Sequence, residues 1–281
     1  MMFFKMQGLG NDYVYIDCIN GKEPVDIKNL TQKLSNRHFG VGSDGLILLC
    51  KSKVADLKMR MFNSDGSEAQ MCGNGIRCVA KLAYELGLIC GEITTIETLS
   101  GIKILKLNIV KGKVKTVEVD MGEPILEATK IPVSSGAKIE DKKIKVEVEA
   151  KDRKIELTCV SMGNPHAVTL VDDIKKIKVA DYGPILENSD IFPEKANIEF
   201  VEIVDKNNIK MRVWERGTGE TLACGTGACS SVVASCLNGY TDKKVRVELL
   251  GGNLEVEWKP NNHVHMTGPA VTVFKGEWID E

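Results

Sequence analysis

Much of the chain alternates polar and apolar residues with a period of two, which puts successive side chains on opposite faces of a β-strand. The alternation is clearest at residues 57–62, 143–148, 210–214 and 243–249. Strands with one buried and one solvated face are typical of antiparallel sheets. The pattern therefore predicts a chain dominated by antiparallel β-structure.

Four shorter segments have helical periodicity and recognisable ends. Residues 26–36 begin with Asp26 in an N-cap position, and residues 173–180 follow an acidic start. The other two, 74–86 and 225–237, are mainly small and apolar, and each is followed closely by a glycine that suits a C-terminal cap. A few helices within many strands indicate an α+β fold.

The strongest organisational feature is an internal repeat with an offset of 152 residues. The residues that coincide are Glu68 with Glu220, Cys72 with Cys224, Gly73 with Gly225, Gly75 with Gly227, and Gly87 with Gly239. Each half thus contains Glu-x-x-x-Cys-Gly-x-Gly, a helix and a terminating glycine. The repeat predicts two pseudo-symmetric domains from an internal duplication, and the turn at 121–124 is the best candidate for their boundary.

Composition narrows the class of function. Lys and Arg total 37 against 39 for Asp and Glu, so no large field of one sign should attract nucleic acid or an anionic membrane. No apolar run approaches the ~20 residues of a membrane span. We expect a soluble cytoplasmic protein whose partner is a small molecule.

Nine cysteines, an odd number spread along the chain, favour reduced thiols over a disulfide framework. No pair has the CxxC spacing of structural zinc sites, so no metal is expected. Cys18, Cys50, Cys90 and Cys159 lie in apolar stretches and are predicted to be core residues, and Cys78 and Cys229, inside the repeated helices, are also assigned to packing.

Cys72 and Cys224 differ from the others because each directly precedes a Gly-x-Gly helix start. Backbone N–H groups and the positive end of the helix dipole favour a thiolate there, and the glycines let donors approach a bound carboxylate. Two such thiols facing one cleft could remove a proton from one face of a carbon and return one to the other. The sequence therefore favours an amino-acid epimerase that needs no cofactor.

The chain closely resembles the diaminopimelate epimerase family along nearly its whole length. The residues that carry the resemblance are 6–12 (MQGLGND), 63–78 (NSDGSEAQMCGNGIRC), 162–166 (MGNPH), Asn197 in KANIEF, and 214–229 (WERGTGETLACGTGAC). The resemblance implies interconversion of L,L- and meso-2,6-diaminopimelate in the lysine and peptidoglycan-precursor pathway. It also implies a homodimer.

The same resemblance implies that each domain is a largely antiparallel, β-barrel-like sheet around a central helix, with the C-terminal strand returning to the first domain. The domains would then comprise residues 1–122 with 270–281, carrying Cys72, and residues 123–269, carrying Cys224. These two thiols would be the acid/base pair.

Further roles follow from the resemblance position by position. The residues implied to bind substrate are Asn11, Asn63, Gly73, Asn74, Asn164, Asn197, Glu215, Arg216, Gly225 and Thr226. His166 and Glu215 would tune the ionisation of the thiols. Some family members have glutamine after the Asp of the early glycine loop, but this chain has Gly45 after Asp44, so no side-chain contact is assigned at that position.

Two alternatives remain open at this point. A proline racemase or hydroxyproline epimerase also has a cysteine pair and Gly-rich turns, although its compact substrate would give the pair Glu215–Arg216 and the asparagines no second amino-acid end to hold. A non-catalytic thiol redox or metal-binding protein, including one with a Cys72–Cys224 disulfide, would also explain paired cysteines.

Overall fold

The segments of alternating polarity form strands in the computed structural model, which describes residues 1–134, 138–140, 143–151 and 153–279. The chain divides into two compact units, one made of residues 1–120 with the C-terminal segment from 267, the other of residues 121–266. Within these residues, four α-helices and many strands give the predicted α+β class. No helix in the described ranges is long and apolar enough to cross a membrane.

The two units contain similar sets of elements in the same order. The first has strands β1 (Met2–Gly8), β2 (Asn11–Asp17), β3 (Gly45–Cys50), β4 (Leu57–Asn63), β5 (Glu68–Ala69), β6 (Ile93–Thr98), β7 (Gly101–Val110) and β8 (Lys113–Asp120), with helices α1 (Ile27–Ser35) and α2 (Gly73–Glu85). Next come β9 (Lys138–Glu140), β10 (Lys143–Ala150), β11 (Arg153–Ser161), β12 (Pro165–Leu170), β13 (Asn197–Asp205), β14 (Asn208–Glu215), β15 (Gly219–Thr221), β16 (Lys244–Leu249), β17 (Gly252–Trp258) and β18 (Val264–Pro269), with α3 (Val179–Glu187) and α4 (Gly225–Leu237). A 3-10 turn spans Ala128–Lys130, and the last strand, β19 (Val271–Glu277), pairs antiparallel with β1.

Most neighbouring strands are antiparallel, as predicted, and the exceptions are explained by the helices. Strands β2 and β3 are parallel across α1, and β4 and β6 are parallel across α2. In the second unit β12 and β13 are parallel across α3, and β14 and β16 across α4. A parallel pair needs a crossover connection, which the helices provide.

Three of the four predicted helices are confirmed. Helices α1, α2 and α4 occupy the expected segments, with Asp26 as the N-cap of α1. The prediction of a helix at 173–180 was wrong, because α3 begins only at Val179. Asp173 instead forms a local turn, in which its side chain accepts from the N–H of Lys175 and its C=O from that of Lys176.

Helices α2 and α4 are the central helices of their units. Residues 73–83 of α2 are all buried, and the helix packs against β1, β2, β3, β7, β8 and β19. Helix α4 packs in the same way against β11, β12, β13, β14, β16 and β17. Helix α4 is made mainly of small and apolar residues, whereas α2 also encloses the polar side chains of Asn74, Arg77 and Lys81.

Strands β3 and β13 each place one face in an apolar cluster of their own unit. Leu46 and Leu48 of β3 join a cluster with Leu34 of α1, and Ile198 and Phe200 of β13 join one with residues of α3. Alternation along the strands turns the residues between them the other way, toward the central helix. These inward positions bear directly on the chemistry of the helix starts.

The predicted cysteine packing is confirmed in part. Cys50, Cys78, Cys159 and Cys229 are buried, and Cys18 is half-buried. The prediction for Cys90 was wrong, because this residue is exposed in the turn between α2 and β6. Its apolar neighbour Ile89 supplies the burial at this place instead.

Candidate active site

Cys72 is the N-cap residue of α2. Its backbone is extended, and its Sγ accepts a hydrogen bond from the N–H of Gly75 at 3.3 Å. Sγ also lies 3.1 Å from Oδ1 of Asn11 and can donate its thiol proton to that oxygen. Nδ2 of Asn74 lies 3.5 Å from the same oxygen. The structure thus brings together three of the predicted site residues in the first unit.

Asn11 is itself held in place by acidic neighbours. Its Nδ2 donates to Oδ2 of Asp44 at 2.8 Å, which leaves Oδ1 directed toward the thiol. Asp44 also accepts from the N–H of Asp12 and from Arg37. Gly45 follows in β3, and Asp44 is the residue of this loop that orients the site.

Arg77 fixes the first turn of α2 from the inside. Its side chain is fully buried and donates to the C=O of Gly73 at 2.9 Å, Oδ1 of Asn74 at 3.0 Å and the C=O of Pro269 at 3.2 Å. The fork of the guanidinium lets one side chain hold both residues that follow Cys72.

Asn63 lies at the end of β4 and is exposed. Its Nδ2 donates to Oγ of Ser67 at 3.0 Å, its N–H donates to the C=O of Ser67 at 2.9 Å, and its C=O accepts from the N–H of Gly66 at 2.8 Å. Asn63 is therefore placed by the turn after β4.

Cys224 repeats the geometry of Cys72 in the second unit. It is the N-cap of α4, and its Sγ accepts from the N–H of Gly227 at 3.4 Å. The hydroxyl of Thr226 lies 3.5 Å from the same sulfur. Only 6% of Cys224 is exposed, so the thiol is shielded from water.

A hydrogen-bonded chain leads from the start of α4 into the sheet. Nδ2 of Asn164 donates to Oγ1 of Thr226 at 3.4 Å, and its Oδ1 lies 3.1 Å from Nε2 of His166. Nδ1 of His166 lies 2.7 Å from Oε1 of Glu199. His166 and Glu199 are both fully buried, so this is an interior pair and not a solvent contact.

The remaining predicted residues lie around the end of β14. Oδ1 of Asn197 accepts from the N–H of Arg216 at 3.0 Å, while its Nδ2 donates to the C=O of Pro165 at 2.9 Å. The exposed guanidinium of Arg216 donates to the C=O of Glu194 at 2.9 Å. Glu215 accepts a short hydrogen bond from Thr221.

The electrostatics of this region raise the pKa values of Cys224 and Glu215. Burial raises the pKa of the Cys224 thiol well above its ordinary value, and the carboxylates of Glu215 and Glu199 raise it further. The hydrogen bonds from Thr226 and the N–H of Gly227 act in the opposite direction. Burial likewise raises the pKa of Glu215, against the opposing effects of Thr221, His166 and Cys224.

Glycine at the second repeat position of each helix start leaves room for a side chain of the neighbouring strand. A Cβ atom on Gly227 would lie 2.8 Å from Oε1 of Glu199, and one on Gly75 would lie 2.7 Å from Cδ1 of Ile47. Contacts this short force a displacement of the neighbour, so glycine lets each strand approach the helix closely.

Three residues of these surroundings were missed at the level of sequence. Glu199 and Arg77 are charged residues within buried apolar segments, and this mismatch was the available signal. Asp44 had no signal apart from its place in a glycine-rich loop. Charged residues this deeply buried are retained only with partners, which the structure supplies.

Comparison with solved structures defines the class of fold. A probable proline racemase from Agrobacterium radiobacter with bound carbonate has a TM-score of 0.72 at 14% identity, covering 100% of this chain and 93% of that one. A Bacillus anthracis phenazine biosynthesis protein of the PhzF family has a TM-score of 0.70 at 18% identity, covering 100% and 99%. The two units therefore have the fold shared by proline racemases and PhzF-like proteins.

Sequence comparison identifies the family within this fold. The diaminopimelate epimerase profile matches residues 3–127 and 158–273. Diaminopimelate epimerases from Methanococcus maripaludis and Acetivibrio thermocellus are 55% and 54% identical, the first covering 99% of both chains, the second 99% of this chain and 98% of the other. The chain belongs to the diaminopimelate epimerase family and is an isomerase.

Proposed function

We propose that the protein epimerises L,L-2,6-diaminopimelate to meso-2,6-diaminopimelate without a cofactor, using Cys72 and Cys224 as its two acid/base groups. The observation that carries the proposal is the repeated helix start, in which each thiol is the N-cap of a central helix in a chain of this family. Two like groups suit a reversible inversion because they can exchange roles with its direction.

In each turnover one cysteine is a thiolate and takes the proton bonded to the α-carbon, becoming a thiol. The other cysteine, a thiol at the start, gives its proton to the opposite face of the same carbon and becomes the thiolate. The electron pair left between these steps is delocalised into the adjacent carboxylate. Stabilising that charge requires hydrogen-bond donors arranged in advance.

The donors proposed for this carboxylate are the backbone N–H groups of Gly73 and Asn74 and those of Gly225 and Thr226. In both helices the next two N–H groups are already directed at the cysteine, one to its Sγ and one to its C=O. The first turn of a helix also favours an anion through its dipole.

The rest of the substrate has two ammonium groups and a second carboxylate, which need acceptors and cations of matching shape. We assign Arg216 to the distal carboxylate and Glu215 to an ammonium group, with Asn11, Asn63, Asn164 and Asn197 as orienting amides. Arg216 is exposed, and its hydrogen bond to the C=O of Glu194 holds the guanidinium near the end of β14.

The proposal extends to the setting of the enzyme. We assign it to the lysine and peptidoglycan-precursor pathway, to the cytoplasm, and to a homodimer, on family similarity. Domain boundaries at 1–122 with 270–281 and at 123–269 belong to the same proposal. Light scattering on the purified protein tests the dimer, because a mass of a single chain at micromolar concentration would contradict it.

The experiment that tests the reaction is an incubation of reduced, metal-free protein with L,L-diaminopimelate in deuterated water. NMR follows the meso isomer and deuterium at the α-carbon, with the Cys224→Ala variant in parallel. We expect meso product that carries deuterium, and none from the variant. Proline serves as the control substrate, and its robust racemisation without conversion of diaminopimelate would overturn the assignment.

A further inference from the structure

Glu199 is a buried carboxylate that the proposed reaction does not use. It lies on β13 on the face turned toward α4, and none of its surface is exposed. Oε1 has one partner, Nδ1 of His166 at 2.7 Å. Oε2 is buried with no hydrogen-bond partner among the described residues. Burying a carboxylate with one oxygen that accepts no hydrogen bond is costly, so the presence of Glu199 here calls for a function.

The position of Glu199 relates it directly to Cys224. Oε1 lies under the first turn of α4, 2.8 Å from where a Cβ of Gly227 would be, and Sγ of Cys224 lies 3.3 Å from the same point. The negative charge therefore acts over a short distance through a dry interior, where charges interact strongly. Through His166 and Asn164 the same carboxylate is also linked to Thr226, whose hydroxyl contacts the sulfur.

The first unit provides a natural comparison at this position. An offset of 152 residues places Ile47 opposite Glu199, and Ile47 lies under Gly75 as Glu199 lies under Gly227. The scaffold thus accepts an apolar side chain here, and packing alone does not require a carboxylate.

We propose that Glu199 is a positioning residue for Cys224. The charge of the Glu199 carboxylate keeps the Cys224 thiol protonated in the resting enzyme, and its hydrogen bond to His166 fixes the hydrogen-bonded chain from Asn164 to Thr226. The inference rests on the proposed role of Cys224 as an acid/base group. It implies that Cys224, in the second unit, is the protonated member of the thiol pair in the resting enzyme.

Other titratable groups surround Glu199 on three neighbouring strands. Glu199 is near His166 on β12, Cys159 on β11, and Glu215 at the end of β14. The charge of Glu199 raises the pKa of three neighbouring acids, Cys159, Glu215 and Cys224. Burial is the largest cause of the shift in each of them, and the pKa of Cys159 is about 12.

The test measures ionisation of the thiol without any substrate. Wild type, Glu199→Gln, Glu199→Asp and Glu199→Ile are alkylated with iodoacetamide across a range of pH, and the Cys224 and Cys72 peptides are quantified by mass spectrometry. Glu199→Gln keeps the shape and removes the charge, Glu199→Asp keeps the charge, and Glu199→Ile copies the first unit. Circular dichroism establishes which variants are folded.

With the carboxylate neutralised, we expect alkylation of Cys224 at neutral pH to be about tenfold faster, with its profile moved to lower pH. Glu199→Asp should resemble wild type, and the Cys72 peptide from the same chains provides the internal comparison. If Glu199→Gln does not fold, Glu199→Ile decides the question in the same way.

An unchanged Cys224 profile in the folded Gln or Ile variant would overturn the proposal, as would an equal shift in Glu199→Asp, since packing would then be the cause. These outcomes are independent of turnover. A chain that alkylates as expected but does not epimerise diaminopimelate would contradict the proposed function and leave the role of Glu199 intact.

Discussion

The helix starts of the two units share one backbone design and differ in the side chains around the sulfur. Both cysteines are N-caps that accept from the N–H three residues later, and both central helices have 13 residues. At the offset of 152 residues, however, Ile47, Asn63 and Arg77 of the first unit become Glu199, Glu215 and Cys229 of the second. Amides and a buried arginine orient one thiol, whereas acids and a histidine surround the other.

The difference teaches that, after a duplication, the charges around a site can change while its backbone geometry is retained. Inversion of a carbon needs two proton-transfer groups of similar reach, which preserves the backbone of both helix starts. It also needs one group protonated while the other is not. Placing carboxylates beside one of the thiols, as Glu199 and Glu215 are beside Cys224, is a direct way to produce that inequality.

The largest expected effect tests what the two helix starts have in common. Cys72→Ala and Cys224→Ala should each lower epimerisation by at least about 10²–10⁴-fold, because each removes one of two essential proton-transfer groups. The rate of meso product formation measures this. Exposed Cys90→Ala is the matched control and should retain wild-type activity. Full epimerisation by either active-site variant would refute the two-thiol mechanism.

The next effect tests the arginine that is particular to the first unit. Arg77→Met should reduce the free energy of unfolding by about 3 kcal/mol, because it leaves three buried acceptors without their donor. Urea denaturation followed by circular dichroism measures the change.

The control for Arg77 is Arg246→Met, at an exposed arginine, which should stay within about 0.5 kcal/mol of wild type. A loss at Arg77 no larger than that of this control would show that the first turn of α2 does not depend on the guanidinium.

A smaller effect, on the pH dependence of the free energy of unfolding, tests the acids of the second unit. Burial raises the pKa of Glu215 above the ordinary glutamate value of 4.5, so the folded protein holds this proton more tightly than the unfolded chain. The resulting stabilisation is present below the unfolded pKa and is lost as pH rises through the folded pKa. Glu215→Gln, which cannot ionise, should therefore gain stability relative to wild type between about pH 4 and neutrality.

Urea denaturation at several pH values measures this difference. The control is Asn63→Ala, at the equivalent position of the first unit, whose difference from wild type should not vary with pH because an amide does not titrate. A constant difference for Glu215→Gln would argue against the raised pKa.

The smallest effect tests an ion pair that occurs at equivalent positions in the two units. Arg60 binds Glu68 with Nε–Oε1 at 2.8 Å, and Arg212 binds Glu220 at 2.7 Å, again at the offset of 152 residues. Glu68→Gln and Glu220→Gln should each cost about 0.5–1 kcal/mol, as partly exposed pairs do. Thermal unfolding of both variants would reveal any inequality, and a difference above about 1 kcal/mol would contradict equivalence of the two pairs.

Local signals explain why much of the fold could be predicted. Alternation of polarity located the strands that became β4, β10, β14 and β16, and cysteine before Gly-x-Gly located the start of both central helices. The same signals failed at residues 173–180, where an Asp that suits a helix start instead closes a turn. Asp serves both structures, and only the packing around it decides between them.

The candidate site was predictable to the extent that its residues form motifs. Cys72, Cys224, Gly73 and Gly225 follow from the repeat, whereas the asparagines, Thr226, His166, Glu215 and Arg216 follow from family resemblance. Arg77 and Glu199 lie inside the quoted motifs but were given no role from sequence, and Asp44 lies outside those motifs. Each acts through a partner distant in sequence, and Arg77 alone reaches Pro269, 192 residues away.

The sequence by itself determined the strands at β4, β10, β14 and β16, where the two central helices begin, and that one element occurs twice with a thiol at its start. These properties depend on neighbours within a few residues, where side-chain periodicity and capping act. Only the tertiary structure decided that the thiols have different surroundings. Burial and charge at Cys224 come from strands β12, β13 and β14 brought beside α4, and their effect on a proton depends on distances that no local pattern contains.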